Sequence, residues 1–428
     1  MSPTRRSFIK TGTISLAAIG LRPVAKAATA AAIPGPSAPR PAQELENLVK
    51  GVEPLGPPDY AARIERAKRL MTEKGLDAIF IGGGTNLVYF TKVRWWLSER
   101  VFGVVLSPKK DPIWVCPAFE APRAQELVPA GQVVRTWEEH ESPYALIGGV
   151  LKDIGASTGK LAAAPDLRAF EVFGLRRTLT GAQIVDGAPI TEGCRGTKTA
   201  KEIAFMDLAN RITKIAYREG FKTLREGMTA RDLAGAIAAA TQKLGSSGGG
   251  GPQFGPNTAF PHGSQVPRTL TPGDCVLVDG GCSVEGYSSD VTRTVVFGPP
   301  SDKQRRVWDI VKKAQDAALQ AARPGATCES VDAAARKVVE DAGYGPGYKY
   351  FAHRLGHGIG MEGHEYPYLV KGNTLKLEPG MTFSNEPGIY IYGEFGIRTE
   401  DCMVVTETGA RLLGGMAAVS IEEPIGQA

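Results

Sequence analysis

Short apolar runs bounded by Gly, Pro and Asp punctuate the first half of the chain. GLDAIFIGG (75–83), NLVYFTK (86–92), VFGVVLSP (101–108) and PIWVCPA (112–118) each predict a buried strand. Ahead of them, YAARIERAKRLMTEKG (60–75) repeats apolar positions at helical spacing, and an α/β region follows. Further on, CVLVDGG (275–281) and SDVTRTVVF (289–297) predict two strands of a β-hairpin joined by a Gly- and Ser-containing loop. Alternation puts Asp290, Thr292 and Thr294 on one face, and pairing brings Asp279 alongside. Two carboxylates held close in a poorly solvated interior repel, and a cation between them relieves the conflict.

The remaining candidates follow in three segments. HRLGHGIGMEGHE supplies His353, His357 and His364, SNEPGIY supplies Glu386, and GIRTED supplies Arg398 and Glu400. With His262 in FPHGSQ, four of the chain's five histidines belong to this set, leaving His140 outside it. A lone Asp is most often a surface charge or half of an ion pair. A spaced set of carboxylates and histidines is instead the pattern of a metal centre.

This combination resembles the pita-bread metallopeptidases, the family of aminopeptidase P, prolidase and methionine aminopeptidase, together with the metal-free relative creatinase. The resemblance implies five ligands, Asp279, Asp290, His357, Glu386 and Glu400, holding two divalent ions, with Asp290 and Glu400 bridging. A donor set of four carboxylates and one imidazole suits manganese first, with iron, cobalt or zinc as alternatives. The resemblance further implies hydrolysis by a metal-bridging hydroxide, with Glu386 as proton shuttle and His262 and His364 contacting substrate. His353 would line the proline pocket, and Arg398 and Thr292 would stand behind the ligands. Arg94, Trp95 and Trp96, in KVRWWLSER, are candidates to reach over the site and bind substrate.

The expected activity is that of an aminopeptidase P-like Xaa-Pro peptidase. The alternatives are a prolidase-like Xaa-Pro dipeptidase, another small-molecule hydrolase or lyase on the same scaffold, and a non-catalytic binding module. The partner would be a proline-containing peptide, and the assembly a homodimer or dimer-based oligomer.

Internal echoes support a duplicated catalytic domain. REGMTARDLAGAI (225–237) and RPGATCESVDAAA (323–335) share Arg, Gly and Thr at equal offsets. LTPGDCVLVDGG (270–281) and LKLEPGMTFSNEPG (375–388) align Pro272 with Pro379, Gly273 with Gly380, and so Asp279 with Glu386. The fold expected is therefore α/β (α+β). A creatinase-type amino-terminal domain over residues 43–194 would precede a pita-bread domain of two pseudo-symmetric helix-strand halves over 195–428.

The first 27 residues resemble a twin-arginine export signal. Arg5 and Arg6 precede the mildly apolar TGTISLAAIGL and a small-residue site at Ala25, Lys26 and Ala27. A Pro- and Ala-rich linker over 28–42 comes next, and a periplasmic or secreted location is expected. The formal charge of +5 is misleading, because Arg5, Arg6, Lys10, Arg22 and Lys26 all lie in this leader without an acid. The remainder carries 45 bases against 45 acids, which argues against nucleic acid, and the leader is too short and too rich in Gly and Thr for a membrane anchor. Six dispersed cysteines, Cys275 among them, predict free buried thiols rather than a disulfide framework. SSGGGGPQFGPN, from Ser246, lacks the Lys-Ser or Lys-Thr of a phosphate loop and is expected to be a mobile loop near His262.

Overall fold

The computed structural model describes residues 45–426, so the leader and the whole linker lie outside the described residues. Six strands build the amino-terminal sheet: β1 (Ala78–Gly82), β2 (Gly103–Leu106), β3 (Ile113–Pro117), β4 (Val133–Trp137), β5 (Lys160–Ala163) and β6 (Gln183–Asp186). Their order is β4-β3-β2-β1-β5-β6; β2 runs antiparallel to both its neighbours and the other pairs are parallel. Helices α1 (Pro57–Glu73), α2 (Thr85–Thr91), α3 (Ala121–Leu127), α4 (Pro143–Asp153), α5 (Ala169–Thr178) and α6 (Ala188–Arg195) accompany it. Alternate residues of β1 enter different cores: Ile79 and Ile81 pack with Trp114, whereas Ala78 and Phe80 pack with Val105 and Val115. Burial on both faces explains why this strand reads as an unbroken apolar run.

The catalytic half opens with α7 (Ala200–Phe221) and α8 (Ala230–Lys243). Strands β7 (Gly251–Phe254), β8 (Cys275–Gly280), the short β9 (Ser283–Val284) and β10 (Tyr287–Ser288), and β11 (Val291–Val296) follow. The second half repeats the plan with α9 (Asp302–Ala321), α10 (Cys328–Asp341), β12 (Gly356–Gly358), β13 (Glu365–Leu369), β14 (Thr382–Asn385), β15 (Gly388–Ile391), β16 (Phe395–Arg398), β17 (Asp401–Val405) and β18 (Ala410–Leu412). Strands β11-β8-β7 form one sheet, and β17-β14-β12 lie in the same relation within a five-stranded one.

The repeat extends to individual hydrogen bonds. Thr229 caps α8 and Thr327 caps α10. Gly227 N–H donates to the Leu270 carbonyl and Gly325 N–H to that of Leu377, each at 2.9 Å. Both glycines adopt left-handed backbone, at φ 75° and 84°, a conformation that glycine enters without steric cost. Gly273 and Gly380 each have φ 87°, starting β8 and the run into β14 alike.

Three expectations need correction. NLVYFTK is helix α2, not a strand. Five of its seven residues are buried, and the Asp166 carboxylate accepts from the Asn86 N–H at its first turn. A seven-residue apolar run does not by itself distinguish the two structures.

The Gly-rich segment is not a mobile loop, because Gly251–Phe254 is β7, hydrogen-bonded along β8. Its glycines permit close backbone approach: a Cβ on Gly248 would stand 2.3 Å from the Gly281 carbonyl oxygen. The β8–β11 pair is present, but its connection is itself a small hairpin, β9–β10, and Asp279 pairs with Thr292 rather than with Asp290.

The two regions of the chain are joined by buried polar contacts. Arg63 of α1 donates to Glu202 of α7 at 2.7 Å and to the Tyr287 hydroxyl at 2.6 Å. Residues ahead of α1 pack on the catalytic half, with Leu48 N–H donating to the Leu244 carbonyl at 3.0 Å. All six cysteines are free and buried, and Cys275 packs within the second catalytic core. Among the described residues no helix is long and apolar enough to cross a membrane.

Candidate active site

The strand pairs bring the predicted carboxylates together. Asp279 ends β8, Asp290 precedes β11, Glu386 follows β14, and Glu400 immediately precedes β17. Asn385 pairs with Asp401 across β14 and β17, so Glu386 and Glu400 stand in the relation that Asp279 and Thr292 have in the first half. Ligand-capable atoms of Asp279, Asp290 and Glu400 lie within 4.8 Å of one another, as do those of His357, Glu386 and Glu400. Glu400 belongs to both groups.

His357 sits on β12. Its Nδ1 lies 3.1 Å from the Gly358 carbonyl, which fixes the proton there and leaves the Nε2 lone pair facing Glu386 Oε1 at 3.4 Å and Asp290 Oδ2 at 3.7 Å. Burial, with His364 nearby, pushes its pKa down to about 4, so the imidazole is neutral. Burial and the mutual repulsion of the carboxylates raise Asp290 and Glu400 well above the usual range, and burial raises Glu386 to about 7. Among the described residues Arg398 is the cation paired with these carboxylates: its guanidinium is 2.8 Å from Asp279 Oδ2 and its Nε donates to Thr292 Oγ1 at 2.9 Å. A neutral imidazole lone pair among crowded, under-compensated carboxylates fits a pair of divalent cations.

Thr292 Oγ1 lies 2.9 Å from Asp279 Oδ1 and 2.6 Å from Glu400 Oε2. His353 Nε2 meets the Tyr390 hydroxyl at 2.8 Å, and its Nδ1 is 3.9 Å from Glu386. His364 stacks on His357 with ring centroids 3.6 Å apart, and His262 is exposed at the rim. A cavity of about 170 Å³ is lined by His262, His353, His364 and the five predicted ligands, with Arg398 and Arg354.

Arg94, Trp95 and Trp96 do not line this cavity within the chain. Lys92 takes a left-handed conformation at the end of α2, and the following segment runs along the amino-terminal domain, where Trp95 stacks on Phe102 with centroids 3.7 Å apart. Trp96 is exposed beneath the Arg123 guanidinium.

Four contributors were missed. Ser384 Oγ donates to Glu386 Oε1 at 3.0 Å, and the Tyr390 hydroxyl accepts from Arg398 at 3.0 Å. Cys402 Sγ accepts from the Asp290 N–H at 3.2 Å, and Arg354 stands at the rim. Ser384 and Tyr390 lie inside SNEPGIY, two residues before and four after Glu386, where strand alternation could have marked Ser384.

The fold and this cluster define a metallopeptidase built from two repeated halves. The family models agree: "Metallopeptidase family M24" matches residues 204–407, and "Creatinase/Prolidase N-terminal domain" matches residues 63–196. The chain is 37% identical over 352 residues to an Xaa-Pro dipeptidase of Lactobacillus helveticus, covering 81% of this chain and 95% of that one. Among solved structures it is similar to dipeptidase PepE from Mycobacterium ulcerans, with a TM-score of 0.79, 35% identity, and coverage of 85% and 97% of the two chains. It is also similar to the recombinant prolidase from Thermococcus sibiricus, with a TM-score of 0.75, 31% identity, and coverage of 84% and 98%. The chain belongs to metallopeptidase family M24.

Proposed function

We propose that this chain is a dinuclear metal-dependent Xaa-Pro dipeptidase. The observation that carries this reading is similarity to the Lactobacillus helveticus Xaa-Pro dipeptidase over 95% of that protein's length, combined with one cavity that gathers all five ligand candidates. The similarities favour the dipeptidase alternative over the aminopeptidase P-like activity expected first.

In this reading Asp279 would hold one ion, His357 and Glu386 the other, and Asp290 and Glu400 both. The two atom clusters that share Glu400 support that division. Bound ions would supply charge compensation and water activation, and the oxygen-rich donor set favours manganese, with iron, cobalt or zinc as alternatives. Glu386 lines the cavity at the place where a proton would be taken up and passed to the leaving nitrogen, and it would serve as that proton shuttle. His262 and His364 line the cavity where donors to the substrate carbonyl are needed. His353 and Tyr390 would bound the prolyl ring, and exposed Arg354 is the cation available to the proline carboxylate.

The test is hydrolysis of Xaa-Pro dipeptides against Xaa-Pro tripeptides by manganese-loaded protein. Preference for dipeptides by tenfold or more is expected, about 1.4 kcal/mol of discrimination. Equal cleavage of both would return the assignment to an aminopeptidase. We further propose export by the twin-arginine route and assembly as a homodimer. The paired arginines Arg5 and Arg6 support the first, and exposed Trp96, Leu97 and Phe119 support the second.

A further inference from the structure

His262 is carried by a turn, residues 257–263, that a neighbouring strand grips from one side. Gln253 stands on β7, where it pairs with Leu277 of β8, two residues ahead of Asp279. Its amide meets two carbonyls and one N–H of that turn, and these neighbours fix which way it points. Nε2 donates to the Asn257 carbonyl at 2.8 Å and to the Phe260 carbonyl at 3.1 Å, while Oε1 accepts from the Gly263 N–H at 3.0 Å. The contacts to Phe260 and Gly263 bracket His262.

The turn is shaped for this contact. Gly263 has φ 88°, left-handed backbone that glycine enters without steric cost, and a Cβ there would stand 3.2 Å from the Gln253 amide. On the other side Arg398 donates to the Pro261 carbonyl at 3.0 Å, and the Thr258 hydroxyl accepts from the Gly396 N–H at 2.8 Å. The His262 ring itself is exposed, so packing does not hold it and its place follows from the backbone on either side. Pro261 and His262 line the active-site cavity, whereas Gln253 does not. The amide therefore touches the turn and not the substrate.

We propose that Gln253 is a positioning residue for His262, holding the turn so that the imidazole reaches the substrate carbonyl at a set distance from the metal site. The proposal rests on the dipeptidase reading, in which His262 is a donor to that carbonyl. β8 carries Asp279 and β7 is hydrogen-bonded along it, so one pair of strands places both a ligand candidate and, by way of Gln253, the histidine. The glycines ahead of Gln253 let β7 lie close: a Cβ on Gly250 would stand 2.5 Å from Val278 Cγ1. A donor helps only if it meets the oxygen at hydrogen-bond distance as charge develops there, and a displacement of about 1 Å loses most of its worth.

The experiment is a double-mutant cycle on manganese-loaded protein, pairing His262→Ala with Gln253→Met, which keeps the length of the side chain and removes its amide. On an Xaa-Pro dipeptide, Gln253→Met is expected to lower kcat about tenfold with KM and manganese content unchanged, because the contact weakened is one made in the transition state. His262→Ala is expected to lower kcat about a hundredfold, and adding Gln253→Met to it to change nothing further. Should Gln253→Met not fold, Gln253→Glu, which keeps the acceptor for Gly263 and loses both donations, gives a second reading of the cycle. Losses that multiply, so that the Gln253 change costs as much without His262 as with it, overturn the proposal. So does an unchanged kcat in either single variant, or a fall in manganese content that accounts for the loss. Cleavage of Xaa-Pro tripeptides in place of dipeptides would instead remove the dipeptidase reading, and the cycle run on tripeptides still decides the role of Gln253.

Discussion

Thr292 and Glu400 join the two catalytic halves twice over. The Glu400 N–H donates to the Thr292 carbonyl at 3.0 Å, and the Thr292 hydroxyl lies 2.6 Å from Glu400 Oε2. Arg293 extends the seam, donating to the Glu400 carbonyl at 2.6 Å and to Asp401 at 2.8 Å, where Lys214 also ends at 2.6 Å. Every one of these groups is buried. Where one half carries a hydroxyl the other carries a carboxylate, so the repeated frame yields an unequal set of donors.

Thr292→Val keeps the shape of the strand and removes the hydroxyl shared by Asp279, Glu400 and Arg398. Metal affinity should fall about 10- to 100-fold, the usual cost of losing a group that orients a ligand. Calorimetric titration with Mn²⁺ measures it, and unchanged affinity would contradict the role given to this hydroxyl.

Glu400→Gln and Asp290→Asn each remove a carboxylate assigned to both ions. Activity should drop by at least about a hundredfold and metal content below two per chain, by analogy with other two-metal hydrolases. Chelation of the wild type should abolish activity, and Mn²⁺ or Co²⁺ should restore it. A fully active metal-free preparation would rule out the dinuclear assignment.

The metal-free protein should lose stability as pH rises through 7. Glu386 at about 7, and Asp290 and Glu400 raised well above their usual range, favour their neutral forms in the folded state. A raised carboxylate pKa contributes stability below the unfolded value and loses it as pH passes the folded value. His353 and His357, lowered to about 3 and 4, act in the opposite sense, but their contribution is complete above the unfolded histidine pKa of 6.5. Thermal melts in chelator at pH 7 and 8.5, run beside Glu386→Gln, separate the carboxylates from the buried thiols, whose raised pKa values lower stability in the same direction at the higher pH. The midpoint should fall at the higher pH, and added Mn²⁺ should raise it more there; a rising midpoint without metal would refute this account.

Trp95→Ala should act on stability rather than on substrate choice. The half-buried indole stacks on Phe102 at the edge of the amino-terminal core, and removing it should cost about 1–3 kcal/mol, below the loss for a fully buried indole. A urea melt reports that loss. A changed dipeptide-to-tripeptide ratio without a stability change would restore the substrate-contact role first expected for this segment.

Under the proposed twin-arginine route the paired arginines would serve as the export address, so replacing Arg5 and Arg6 with Lys should retain the full-length precursor in the cytoplasm. Fractionation of a bacterial host expressing both forms decides it; equal export would refute the route.

The residues that the structure gathers into one cluster were legible in the sequence because a metal centre needs particular donor types and strand alternation spaces them. Asp279 and Glu386 could be superposed before any fold was known, since their flanking Pro-Gly turns repeat. α2 was not legible, because Leu87, Val88, Tyr89 and Phe90 are apolar at every step and carry no period over so short a run. β7 was hidden by its glycines, which were read as freedom and serve close approach.

The site on the seam has a last consequence. Each half supplies part of the donor set, so the halves cannot separate without giving up the ions. Free energy of binding is therefore added to the free energy of folding, by RT ln(1 + [metal]/Kd). A cell short of metal would hold less of this protein as well as a less active one, and turnover of the apo chain would serve as its own record of supply.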